Sequence, residues 1–87
     1  MNADAILATL RAGGRCAIRV ARSGLPRATV RQPADAGAEA DTERVSTIEA
    51  RLAIKAPGVV ATSETDTGLA VVTVYEWFEP VAEGRPS

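Results

Sequence analysis

The sequence predicts an α+β fold: a four-stranded antiparallel sheet with two helices on one face, in the order αββαββ. Three observations predict it. Apolar residues recur at the helical period in two places, near the start of the chain and again from Val45. Each of these runs is followed by segments in which apolar and polar residues alternate. A glycine-bearing turn divides each alternating region in two, as a hairpin requires. Two such helix-strand-strand units can bury their apolar faces together as one sheet under two helices. The units also echo each other. Ile6-Leu7-Ala8-Thr9-Leu10 matches Ile48-Glu49-Ala50-Arg51-Leu52, and Gly24-Leu25 before Ala28-Thr29-Val30 matches Gly68-Leu69 before Val72-Thr73-Val74. The architecture holds with or without a duplication.

Taken in order, Asn2 can cap a first helix whose stripe is Ala3, Ile6, Leu7 and Leu10, with Gly13-Gly14 as its stop. Cys16, Ile18 and Val20 then alternate with Ala17, Arg19 and Ala21, which reads as a strand. Ser23-Gly24 turns the chain, Pro26 sits at the edge of the turn, and Ala28 and Val30 alternate with Arg27, Thr29 and Arg31. A competing reading of residues 16–32 is a helix-turn-helix. Ser23 to Arg31 has the small turn residue and the apolar position six residues on that such a motif uses, although Pro33 would stop its second helix after about two turns. Residues 33–41 are small and acidic with no apolar period, and read as a flexible connection.

The second helix rests on Val45, Ile48, Leu52 and Ala56, which fall on one stripe. Asp41 or Thr42 can cap it, Glu43 lies in the first turn, Lys55 in the last, and Pro57-Gly58 ends it. Ile48, Ala50, Leu52 and Ile54 also alternate with Glu49, Arg51, Ala53 and Lys55, so a strand is the competing reading. Val59 to Glu64 is rich in β-branched residues, Thr65 to Gly68 is turn chemistry, and Leu69 to Phe78 is the strongest strand signal in the chain. The domain therefore spans residues 1–79, with a disordered tail at 80–87.

Over residues 45–75 the runs T-I-E-A-R-L, P-G-V-V and T-G-L-A-V-V-T-V-Y are similar to the helix-strand-strand portion of the heavy-metal-associated domain. That family has a ferredoxin-like α+β fold and serves copper chaperones and metal-pumping ATPases. Its metal is held by a C-x-x-C pair just before the helix. The positions that correspond here are Asp41 and Arg44, and neither supplies a thiolate. The resemblance thus implies the fold without the metal site.

Composition narrows the function further. Eighty-seven residues make one domain, and much of the 46% apolar content is alanine. The core is therefore thin, so a second copy or another partner can add stability and a homodimer is among the possibilities. Met1 to Ala12 lacks a basic start and a long apolar run, and no stretch is long enough to span a membrane. No membrane partner is expected. Cys16 is alone, which rules out an internal disulfide and points to a cytoplasmic setting. The net charge of −1 conceals a division. Residues 1–32 hold six arginines against one aspartate, net +5, and residues 33–87 hold four basic against ten acidic residues, net −6. Such polarity either attracts charged partners or neutralises itself within the fold.

Most chemistries lack their residues. There is no histidine, no C-x-x-C, no phosphate-binding glycine loop and no paired-carboxylate motif, so neither an enzyme nor a cofactor or metal is expected. What remains is a surface. With Ile18, Val20, Val30, Val72 and Val74 turned toward the helices, the opposite sheet face would carry Arg19, Arg27, Arg31, Tyr75 and Trp77. These five are the candidate partner-binding residues. Exposed arginine and aromatic side chains anchor protein interfaces, so the leading expectation is a small noncatalytic protein-binding module, an adaptor or inhibitor. The alternative is a nucleic-acid-binding protein. It would use arginines on phosphates and aromatics on bases, or the helix-turn-helix reading of residues 16–32.

Overall fold

The computed structural model describes residues 1–33 and 42–78. Its elements are α1 (Ala3–Arg11), β1 (Arg15–Ala21), β2 (Arg27–Arg31), β3 (Thr42–Val45), α2 (Thr47–Ile54), β4 (Val59–Asp66) and β5 (Ala70–Trp77). The chain folds as α+β, with two helices and an antiparallel sheet in the strand order β3-β2-β1-β5-β4. Local signals place the first half well. The Asn2 side chain accepts a hydrogen bond from the Ala5 N–H at 2.8 Å, closing the start of α1. Cys16 pairs with Val30 and Ile18 with Ala28, so residues 16–32 form a hairpin and not a helix-turn-helix. The 45–55 region likewise resolves as helix over Thr47–Ile54 and not as strand.

The sheet has five strands where four were expected, and the order is αβββαββ. Thr42–Val45, read from the sequence as the cap and first turn of a helix, pairs instead with β2, with Val45 opposite Ala28 and Thr42 opposite Arg31. The reason is the edge of β2. Without β3, the strand that carries core residue Val30 would leave a row of N–H and C=O groups unpaired. The helix start moves to Thr47, where the Ser46 carbonyl accepts from the Ala50 N–H at 2.9 Å.

That shift also rotates α2. Ile48 and Leu52, expected to face the core, are 71% and 51% exposed, while Ala50 and Ala53 are buried. Val45 is buried as expected, but as a strand residue, so it does not set the phase of the helix. Two alanines let α2 lie close to the sheet, and the Ala3 N–H donates to Glu49 Oε1 at 3.3 Å where α1 and α2 meet. Ile6 and Leu10 from α1 fill the space above Cys16, Ile18 and Val30.

The third correction concerns β5. Residues paired across antiparallel strands point to the same face. Tyr75 pairs with Cys16 and Thr73 with Ile18, so both lie on the helix-covered side, and Tyr75 and Trp77 pack against the core. Val72 and Val74 stand opposite Arg19 and Ala17 on the open side. Each alternating set of β5 carries apolar residues, and alternation alone does not choose between them. The set with the two aromatics buries more area and takes the core side. The Arg11 guanidinium covers the Trp77 ring at 4.7 Å. Beyond β5 the Phe78 N–H donates to the Gly58 carbonyl at 2.7 Å, and Gly58 has φ 98°, a conformation that favours glycine. The acidic connection read at 33–41 and the tail read at 80–87 lie outside the described residues, apart from Pro33.

Candidate functional site

The open face of the sheet is where charge collects. Alternation along β1 sends Arg15, Ala17 and Arg19 away from the helices, because Cys16 and Ile18 are buried beneath them. Along β2 the same rule sends out Arg27, Thr29 and Arg31. The β1–β2 register then sets Arg15 directly opposite Arg31 and Arg19 directly opposite Arg27, with Ala17 and Thr29 between them. β3 adds Arg44, opposite Thr29. Five arginines therefore share a face whose centre is small and apolar, made by Ala17, Val72 and Val74.

Like charges directly opposite on a sheet destabilise it, by roughly 0.2–1 kcal/mol per pair. The register is nevertheless fixed, because a one-residue slip of either strand would turn its arginines into the core. Among the described residues one carboxylate offsets the charge: Glu76 Oε1 lies 3.3 Å from Arg15 Nε. Among the described residues, Arg19, Arg27, Arg31 and Arg44 have no carboxylate within 4 Å. A shallow hollow of about 220 Å³ lies in this face, with Arg15 and Arg31 on its rim and Ala17, Thr29, Thr42 and Val74 lining the rest. The geometry is suited to holding carboxylate or phosphate groups, which arginine grips through two parallel N–H donors.

Of the candidate residues, Arg19, Arg27 and Arg31 are brought together. Tyr75 and Trp77 lie on the other side of the sheet and do not join them. Arg15 and Arg44 complete the cluster but are absent from the sequence-based set. Arg15 was legible, since the β1 alternation extends one residue back from Cys16. Arg44 was not, because its placement depends on β3.

Among the described residues no group of three or more His, Cys, Asp or Glu side chains could hold a metal ion. Cys16 is buried, and burial pushes its thiol from the ordinary 9.0 up to about 11, which disfavours the nucleophilic thiolate. No helix among the described residues is long and apolar enough to cross a membrane. Compared with protein-family models, with curated proteins and with solved structures, the chain matches none.

Proposed function

We propose that this protein is a small noncatalytic binding module, an adaptor or inhibitor, whose open sheet face docks an acidic surface of another protein. The observation that supports this most is the pair of directly opposed arginine couples, Arg15 with Arg31 and Arg19 with Arg27, offset among the described residues by the carboxylate of Glu76. A fold that carries such like-charge couples gains from a partner that supplies negative charge. The setting suits a protein. Ala17, Val72 and Val74 form an apolar centre, arginine and threonine surround it, and protein interfaces combine a dry centre with a polar, arginine-rich margin.

A nucleic-acid partner draws on the same arginines, but Tyr75 and Trp77 pack on the far side and do not serve this face as stacking surfaces for bases. The deciding experiment is quantitative capture by the full chain. Partners retained by the wild type should be lost at least tenfold by Arg27→Glu, Arg31→Glu and Val74→Glu. The helix-side variant Leu52→Lys should retain them, and hydrogen exchange on the captured protein should show protection over an acidic patch. Capture unaffected by all three face variants would overturn the reading. Tight binding to labelled DNA or RNA that weakens steeply with salt would replace it with the nucleic-acid reading.

A further inference from the structure

The β1–β2 and β4–β5 turns lie side by side at one end of the sheet, because the last pairing of β1 with β5 is Ala21 with Ala70. The Arg22 N–H donates to the Leu69 carbonyl at 3.0 Å and ties the two turns together. Each turn presents a leucine. Leu25 is 85% exposed and Leu69 is 74% exposed, the two most exposed large apolar side chains among the described residues. A cleft of about 330 Å³ lies between them, and its basic lining comes from Arg19, Arg22 and Arg27. None of these arginines has a carboxylate within 4 Å among the described residues. Asp66, the acid of the β4–β5 turn, accepts the Gly68 N–H at 2.8 Å and pairs with Val71 on the helix side of the sheet.

We propose that this end of the sheet attaches peripherally to an anionic lipid surface, with Leu25 and Leu69 dipping among the acyl chains and Arg19, Arg22 and Arg27 meeting the lipid phosphates. Two leucines on projecting turns have no pocket of their own. A fluid bilayer accepts them without shape complementarity, while a protein partner would need a matching socket for each. The arginines stand at the base of the turns, at the level where headgroup phosphates would lie, and their charge is complementary. The lack of a membrane-spanning run does not bear on this contact, which needs no span. The proposal stands apart from the protein-docking reading, although Arg19 and Arg27 belong to both surfaces. Arg15, with Arg31 of β2 opposite it, lies four residues back along β1 from Arg19, about 13 Å away, and both stay clear of the lipid.

The test is cosedimentation of the full chain with phosphatidylcholine vesicles, with and without about 30% phosphatidylglycerol. The wild type should sediment with the anionic vesicles and not with phosphatidylcholine alone. The double variant Leu25→Ser/Leu69→Ser should lower partition at least tenfold, and Arg22→Gln about fivefold, the effect of one basic side chain at an anionic surface. Arg31→Gln/Arg44→Gln, far from the turns, should change it less than twofold, and inorganic phosphate should not displace the bound protein. All these positions are exposed, and circular dichroism checks that the variants fold. The proposal is overturned by failure to sediment with anionic vesicles, by full binding of the leucine double variant, or by release with phosphate, which would mark a free-anion site. Failure of the wild type to bind anionic vesicles while it still captures protein partners would overturn this proposal alone. Loss of capture in the face variants speaks to the other.

Discussion

Cys16 sits at the centre of the sheet, flanked by Val30 on one side and Tyr75 on the other, and is fully buried under Ile6 and Leu10. Its environment has a consequence that can be measured. The unfolded thiol ionises near pH 9.0, whereas the folded one holds its proton to about 11 because burial penalises the thiolate. Between these values the unfolded chain binds fewer protons than the folded one, so stability falls as pH rises and levels off once both states are ionised. Two pH units correspond to at most about 3 kcal/mol. The full stability is present below pH 9.0 and is lost on approach to 11. Urea midpoints of wild type and Cys16→Ala across this window should therefore converge, with the wild type losing an advantage that Cys16→Ala never had. A constant gap would show that the thiol ionises equally in both states.

Elements obey the same physics with a different outcome when their two faces compete. In α2 the large residues Ile48 and Leu52 are outside and Ala50 and Ala53 inside, so the interior of this helix tolerates little added volume. In β5, Trp77 is packed between α1 and the start of β4, with Val59 paired to it and Arg11 over its ring. Trp77→Ala should cost about 3 kcal/mol, seen as a lowered urea midpoint, because it removes core packing. Leu52→Lys should stay within about 0.5 kcal/mol of wild type. The sequence alone suggested the reverse emphasis: Trp77 as a contact residue on the open face, and Leu52 as core. Both elements were legible as elements. Their orientation was not, since Ile48-Glu49-Ala50-Arg51-Leu52-Ala53 offers two apolar sides and Val71 to Trp77 offers two apolar faces.

For the whole molecule, the arginine face is a stored repulsion. Opposed couples on a common face lose their mutual penalty when salt screens them over a Debye length of about 10 Å at 0.1 M. The melting temperature should therefore rise as sodium chloride is added from low ionic strength. Arg27→Thr, which breaks the Arg19–Arg27 couple while keeping a β-former, should stabilise the fold by up to about 1 kcal/mol. The same change should weaken acidic-partner capture, so stability and binding would move in opposite directions at one residue. A melting temperature that falls with added salt would mean that the attractive pairs outweigh the opposed ones.

Features decided within a few residues of the chain were legible in the sequence: α1 with its Asn2 cap, the two hairpins with their turns, a helix ending before Pro57-Gly58, and the side of β1 and β2 on which Arg19, Arg27 and Arg31 stand. In those strands one alternating set is plainly apolar and the other carries the arginines, so burial leaves a single choice. The fifth strand, the rotation of α2 and the face of β5 depend on contacts between distant segments. Thr42–Val45 becomes a strand because a distant edge, that of β2, needs a partner. α2 turns Ala50 and Ala53 inward with Ile54 packed beside them, a choice between two apolar sides that contacts with distant elements make. β5 buries Tyr75 and Trp77 because register against Cys16 and Ile18 lets the larger apolar area leave water, and that choice takes the aromatic residues off the arginine face.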